Sequence, residues 1–531
     1  MDTKNVIAAI SLSAAVIILY SLFFQPDPQT TQKIINEKKL TEKTSDAPSI
    51  EQTEKVVKIS RTESIANSER VEFENDNIKG TISLTGGSID DLTFKKYTET
   101  LNGSDNVTLL NPSNIENGYF VETGWVTNNK NINVPNSKTS WIIEGNNKKL
   151  TQKNPIKLVW ANDQGIKFEK KISIDNKFLF TIEQSITNNT NKIYNFYPYG
   201  QIIRNIAPEV TNFYILHEGL IGVFDDQLVE KDYDDIEEKK YSVNAQSGWA
   251  GITDKFWIVT MIPEKNKEFR SDFDYKNKFK ANFIETKSME IGANETKSSQ
   301  IKVIVAAKEV DVIDDYSESE GIKKFDLVID WGWFYWLTKP FFFVIHYFFE
   351  LTGNYGIAII LITICLRVMF FPLNNYSFRS MAKMKVLQPE MTRLKELHKD
   401  DKMKLQQEMM ALYKKEKVNP VSGCLPILIM IPFFFAIYKV LFVTIESRHQ
   451  PFFGWIKDLS ERDPTSIFNL FGLIPWDPPS FLLIGVWPCL MGVSMWMQQK
   501  LNPTPPDPVQ AKIFMFFPLF LTVILAPFPA G

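Results

Sequence analysis

Nineteen consecutive residues, Tyr355 to Leu373, carry a single charge, that of Arg367. Coiled as a helix, such a run rises about 28 Å, close to the thickness of a bilayer's hydrocarbon core. Four further runs are similar: Val6–Phe24, Val421–Val443, Ser480–Met497 and the shorter Ile513–Ala526. These runs predict a polytopic α-helical membrane protein. Val6–Phe24 reads as an uncleaved signal-anchor, because its core exceeds a signal peptide's apolar region and Tyr20-Ser21-Leu22-Phe23-Phe24 is a poor small-residue cleavage site.

Charge sorts the segments between the runs. Residues 25–330 hold 39 basic against 48 acidic side chains, whereas residues 374–420 hold 11 against 6. The basic loop is therefore expected in the cytoplasm and the acidic segment outside. Between Trp331 and Glu350, 11 of 20 residues are aromatic, and Lys339, Pro340 and His346 interrupt the run. A span there would put the acidic and basic segments on one side, so we expect an interfacial amphipathic helix on the outer face, with a true span as the alternative. Residues 444–479, with 3 basic and 5 acidic side chains, are placed outside.

The polar segment divides in two. Residues 26–70 are rich in Lys, Glu, Thr and Ser and read as a flexible tether. From residue 71 the pattern becomes strand-like. Ile166, Phe168, Ile172 and Ile174 alternate with Lys167, Glu169, Lys171 and Ser173, with Lys170 the one break. Phe178, Phe180 and Ile182 resume the two-residue period after Asp175-Asn176. Similar runs at Ile78–Leu84, Phe256–Met261 and Ile301–Val305 predict a large antiparallel β-sandwich over residues 71–325. His217 is the domain's only histidine, so an acid–base enzyme is poorly supported, and the acidic run Asp225–Glu238 reads as a solvated face. Cys365, Cys424 and Cys489 all lie in apolar runs and are expected to be buried free thiols.

Residues 374–420 carry two apolar stripes at helical spacing. Met381, Met384, Leu387, Met391 and Leu394 form one, and Leu405, Met409 and Leu412 the other. Asp400-Asp401 suits a helix start and Asn419-Pro420 a stop. The expectation is a helical hairpin with a basic exterior that includes Lys383, Lys385, Lys414, Lys415 and Lys417. Such an exterior can be a solvated face or a docking surface for anionic lipid or ribosomal RNA.

Arg367 admits two readings as well. A guanidinium at bilayer depth costs about 2.5–3.5 kcal/mol on insertion scales. Its side chain could snorkel to the cytoplasmic surface, or it could face a wet cavity shared with Thr363 one turn earlier. No acidic residue within the expected spans can pair with it.

Several segments, in order, carry a resemblance. They are Asn354-Tyr355-Gly356; Leu366-Arg367 with Phe371-Pro372-Leu373; Ser380-Met381-Ala382-Lys383-Met384; and Leu387-Gln388-Pro389. Then follow Gln407-Glu408-Met409-Met410-Ala411-Leu412-Tyr413-Lys414, and Lys417-Val418-Asn419-Pro420 leading to Gly423-Cys424-Leu425-Pro426. Pro451-Phe452-Phe453-Gly454-Trp455-Ile456-Lys457-Asp458-Leu459-Ser460 and Phe528-Pro529-Ala530-Gly531 complete the set. Residues 354–531 thereby resemble the YidC/Oxa/Alb family of membrane-protein insertases, and the anchor plus outer domain resembles its Gram-negative form. There the outer domain is a β-supersandwich similar to sugar mutarotases.

The resemblance implies a bacterial inner-membrane insertase and chaperone, multi-pass, with a cytoplasmic N-terminus and a periplasmic domain. It implies no cofactor and no enzymatic chemistry. Arg367 and Thr363 would line a hydrophilic groove, with Cys424, Pro426 and Met430 as further client contacts. The implied partners are nascent membrane proteins, the ribosome, the Sec translocon including SecYEG and SecDF, and the phospholipid bilayer. The expected division is an anchor at 1–25, tether 26–70, β-domain 71–325, interfacial helix 326–353 and insertase core 354–531. The family pattern continues past Phe528-Pro529-Ala530-Gly531 with one more membrane helix and a basic tail, whereas this sequence ends at Gly531, which predicts five spans and a groove open on one side. A transporter or channel is the alternative function, and it would call for charges on several spans or an internal repeat.

Overall fold

Alternation along single strands organises the outer domain. In Ile166–Ile174 the buried positions are 166, 168, 170, 172 and 174. Lys170 thus keeps the inward register that it interrupts chemically. Its Nζ donates to the Thr123 carbonyl at 2.6 Å and lies 5.0 Å from the Trp141 ring centroid. The structure is a computed structural model that describes residues 59–531 except residues 102, 146, 211–215, 400, 420–424, 477, 480–481 and 502–507, and the side chains of 402, 427, 472 and 508–511. The expected anchor Val6–Phe24, most of the tether and Cys424 lie outside the described residues.

Among the described residues the strands form two sheets, of eleven and nine strands. In the nine-stranded sheet Leu179–Asn188 pairs antiparallel with both Ile166–Ile174 and Thr296–Ala307. In the larger sheet Tyr194–Arg204 pairs antiparallel with Tyr119–Val126 and Phe279–Glu285. The inner faces meet through aromatic pairs, Trp125 with Phe168 at 5.3 Å and Phe73 with Phe180 at 5.2 Å. This is the β-sandwich expected from two-residue periodicity, its layers joined by interdigitating side chains.

The helices in chain order are α1 (Arg61–Ala66), α2 (Tyr233–Glu238), α3 (Val310–Ser319), α4 (Tyr335–Thr352), α5 (Tyr355–Met369), α6 (Phe371–Leu397), α7 (Lys402–Lys415), α8 (Leu425–Val443), α9 (Val486–Leu501) and α10 (Pro508–Leu525). Local chemistry sets their ends. Gly353, at φ 66°, terminates α4, and the Asn354 side chain accepts the Ile357 N–H at 3.1 Å to begin α5. Pro372, in the first turn of α6, follows the break at Phe370, where the path turns by 61°. No single helix among the described residues is long and apolar enough to cross a membrane alone, though the bent α5–α6 pair meets the length and composition needed.

One cysteine expectation is corrected. Cys365 is exposed and Cys489 is only half-buried. The apolar runs here build apolar surface as well as core, so a thiol in such a run need not be inside.

The sandwich and the helices share a junction of named polar contacts. Arg448, just past α8, donates to the carbonyls of Thr98 and Glu99 at 2.7 and 3.2 Å. The Val310 N–H at the start of α3 donates to Glu446 at 2.8 Å. Lys339 on α4 pairs with Asp314 at 2.8 Å and Asp326 at 3.5 Å.

Candidate functional site

The buried stripe of α5 is Tyr355, Ala358, Ile362 and Leu366, spaced by three and four residues. Arg367 is one residue on from this stripe, rotated by about 100°, and its side chain is exposed. Thr363, one turn earlier on the same flank, is half-buried and donates to the Ile359 carbonyl at 2.8 Å. Arg367 has no hydrogen-bond or ion-pair partner among the described residues. The charge is therefore available to something that is not part of the described chain.

Gly356 explains why this flank is shaped as it is. A Cβ at this position would overlap the ring of Phe452, so α5 and the loop that carries Phe452 can approach this closely only at a glycine. Two of the matched segments, Asn354-Tyr355-Gly356 and Pro451-Phe452-Phe453-Gly454, thus meet in space. Two others do the same. The Ala530 N–H donates to the Glu461 carbonyl at 2.8 Å and the Gly531 N–H to the Leu459 carbonyl at 3.1 Å, so the Phe528–Gly531 segment is pinned beside the end of the Pro451–Ser460 segment.

The break between α5 and α6 touches α8 where the Phe370 and Phe433 rings meet edge to face at 4.9 Å. Arg367 lies one turn before Phe370 and Met430 one turn before Phe433. Both Met430 and Pro426 are buried. The structure therefore brings the end of α5 to α8 through Phe370, while Cys424 lies outside the described residues.

The hairpin forms as its stripes require. Met391 is buried, and Met381, Met384, Leu387, Leu394, Leu405, Met409 and Leu412 are half-buried. Lys383, Lys385, Lys414, Lys415 and Lys417 are all exposed. Lys417 adopts a left-handed conformation, φ 52°, as the chain leaves α7.

One buried ion pair escaped the sequence reading. Lys439, inside the Val421–Val443 run, is 2% exposed and pairs with Asp330 at 2.9 Å. Asp330 also accepts the N–H of His217 at 3.1 Å and of Gly332 at 3.0 Å. The signal was present: a lysine near the C-terminal end of an apolar run. Its acidic partner lies in another segment, so a search for acids within the spans passes over it. Both ring nitrogens of His217 are occupied, with Nδ1 3.0 Å from Asp232 and Nε2 3.1 Å from the Leu220 carbonyl.

Two family models match the chain in succession. Residues 70–344 match the family described as YidC periplasmic domain, and residues 347–531 match the family described as 60Kd inner membrane protein. The membrane protein insertase YidC of Pelagibacter ubique (strain HTCC1062) is 64% identical over 531 residues, covering 100% of this chain and 95% of the relative. The protein of the same name from Brucella melitensis biotype 1 is 46% identical over 482 residues, covering 89% and 79%. Among solved structures, an active YidC insertase with its first transmembrane domain resolved aligns over 100% of this chain and 95% of its own, at 15% identity and TM-score 0.35. A galactose mutarotase related enzyme from Lactobacillus acidophilus aligns over 45% of this chain and 98% of its own, at 11% identity and TM-score 0.33. With both parts matched in order and a relative 64% identical across the whole sequence, this chain belongs to the YidC family of membrane protein insertases.

Proposed function

We propose that the chain inserts its clients through a polar groove floored by Arg367, with the helices spanning the bacterial inner membrane and the sandwich in the periplasm. The observation that carries this reading is the exposed, unpaired guanidinium of Arg367 beside Thr363 on an otherwise apolar helix. Moving a polar client segment through lipid is costly because its polar groups lose water without gaining partners. A wet groove part-way through the bilayer shortens that path. A cation at its floor attracts acidic client segments, and the client's own apolar helix supplies the driving force as it enters lipid.

The division at 71–325 and 354–531, with a cytoplasmic hairpin at 374–420, belongs to this proposal, as does a span at residues 6–24. Exposed apolar side chains support lipid contact by α9 and α10, among them Leu490, Val493 and Trp496 on one and Phe516, Leu519 and Phe520 on the other. An interfacial role for α4 is supported by its two faces. Trp336, Tyr347 and Leu351 are exposed while Leu337, Phe342 and Ile345 are buried, and Lys339 ties the helix to the sandwich. Cys424, Pro426 and Met430 belong to the same proposal as further client contacts, and the apolar residues of the 421–443 run, with those of the last run, as an exit surface toward lipid.

The exposed lysines at 383, 385, 414, 415 and 417 dock the translating ribosome, and the protein acts alone or beside the Sec translocon, including SecYEG and SecDF. No enzymatic role is assigned to the sandwich, a choice that the occupied ring nitrogens of His217 support.

Photoreactive side chains test the groove. Placed at Thr363 or Met430 they crosslink a ribosome-bound client, whereas at Cys365, on the opposite side of α5, they do not. Equal crosslinking at all three positions contradicts the groove.

A further inference from the structure

The root of the hairpin holds a cleft of about 620 Å³ that shares Lys383, Lys414 and Lys417 with the docking surface proposed above. Helix α6 contributes Tyr376, Arg379 and Lys383, and the end of α7 with the residues after it contributes Tyr413, Lys414 and Lys417. Tyr376, Arg379 and Lys383 repeat at three- and four-residue spacing and so share one face of α6, which the last turn of α7 and the residues after it oppose. The floor is closed where Val418 is buried and the Ser380 hydroxyl donates to the Asn419 carbonyl at 3.4 Å.

Four cations line this cleft, no carboxylate does, and none of the four has an acidic partner among the described residues. Residues 374–420 are not short of acids, with six available. Like charges gathered in one concavity repel, and a bound anion relieves the repulsion. Lys417, at φ 52°, ends α7 in a helix cap, with the Val418 N–H donating to the Tyr413 carbonyl at 3.0 Å and the Lys417 N–H to the Lys414 carbonyl at 3.3 Å, and the same cap sets Lys417 in the lining of the cleft.

We propose that this cleft binds the phosphate of an anionic phospholipid headgroup in the cytoplasmic leaflet. The inference rests on the membrane topology and the basic-hairpin reading above and names one site within them. Two observations favour lipid over nucleic acid. The cleft begins six residues beyond the break at Phe370, at the root of the hairpin and, in the topology proposed above, at headgroup depth. Tyr376 and Tyr413 flank it, and tyrosine suits the membrane interface. Arg379 supplies the forked, bidentate donor that phosphate oxygens match, and the lysines supply point charges around it.

The test uses the full chain in nanodiscs containing equal phosphatidylglycerol and phosphatidylcholine, and native mass spectrometry counts the lipids retained on release. Three forms are compared: the unaltered chain, the cleft triple Arg379→Gln/Lys383→Gln/Lys414→Gln, and the tip triple Lys395→Gln/Lys399→Gln/Lys404→Gln, which removes the same charge elsewhere. The unaltered chain and the tip triple retain phosphatidylglycerol preferentially, and the cleft triple loses that preference about tenfold. The charge-keeping triple Arg379→Lys/Lys383→Arg/Lys414→Arg restores it, which separates binding from misfolding. Equal loss in cleft and tip triples, or no preference in the unaltered chain, overturns the site. Complete displacement by inorganic phosphate assigns it to the free ion and overturns the lipid. Unchanged lipid retention together with lost binding of a ribosomal RNA hairpin in the cleft triple overturns it in favour of RNA. Ribosome co-sedimentation of the same forms keeps the readings apart, because binding that survives in the cleft triple leaves the hairpin's docking role standing when the lipid site fails.

Discussion

Lys439 and Asp330 form a buried ion pair at 2.9 Å that joins α8 to the segment leaving the sandwich. The pair fixes α8 against the sandwich, because a lysine that is 2% exposed has little water to replace its carboxylate partner. Breaking a buried pair by removing one member costs about 3–5 kcal/mol. Asp330→Asn should therefore destabilise the junction markedly. Lys439→Met should cost less, since Asp330 is partly exposed and keeps the N–H groups of His217 and Gly332. Thermal unfolding and protease nicking near residue 330 would show the order, and equal sensitivity would contradict it.

Glu446 makes the same junction pH-dependent. Burial pushes its carboxyl up to about 7, and the acidic side chains of Glu309 and Asp311 act in the same direction, while the Val310 N–H opposes them. A carboxyl raised in the folded state binds its proton more tightly there than when unfolded. Stability is then greatest below about pH 4.5 and falls as pH rises to about 7, by on the order of 3 kcal/mol. The Tm difference between Glu446→Gln and the unaltered chain should widen in favour of the variant between pH 5 and pH 8. A difference independent of pH would remove Glu446 from the account.

Gly356→Ala should lower stability by about 1–3 kcal/mol, the usual cost of overpacking. Phe452→Ala should suppress part of that loss, because the Phe452 ring is what the new methyl meets. Additive losses in the double variant would contradict the contact.

How much of this was legible follows from what is local. Alternation in Ile166–Ile174 and Leu179–Asn188 predicted strands without a structure, and Met and Leu spacing predicted the hairpin. Even Lys170, read as a break, kept its inward position once Thr123 offered a carbonyl from the opposite sheet. Non-local partners were the limit. Nothing near Glu446 in the chain says that it receives the Val310 N–H from 136 residues away. Nothing near Lys439 names Asp330. Arg367 was visible because an isolated charge in an apolar run needs no partner to be noticed.

The hairpin lysines should give ribosome binding a salt dependence. Neutralising Lys385, Lys415 and Lys417 should flatten the log–log slope by roughly 0.7–0.9 for each phosphate that a lysine no longer neutralises. Binding measured by co-sedimentation over a salt series would test this, and an unchanged slope would count against docking by these residues.

Arg367 offers the most direct test. Insertion of two clients that differ only in carrying acidic or neutral outer segments is measured in membranes where the native insertase is replaced by this chain, by Arg367→Ala or by Arg367→Lys. A charge–charge attraction worth about 1.4 kcal/mol in a partly hydrated groove corresponds to a tenfold difference. The account predicts that Arg367→Ala slows the acidic client about tenfold more than the neutral one and that Arg367→Lys restores most of the loss. Equal slowing of both clients, or no slowing of either, would contradict a groove that works through the charge of Arg367.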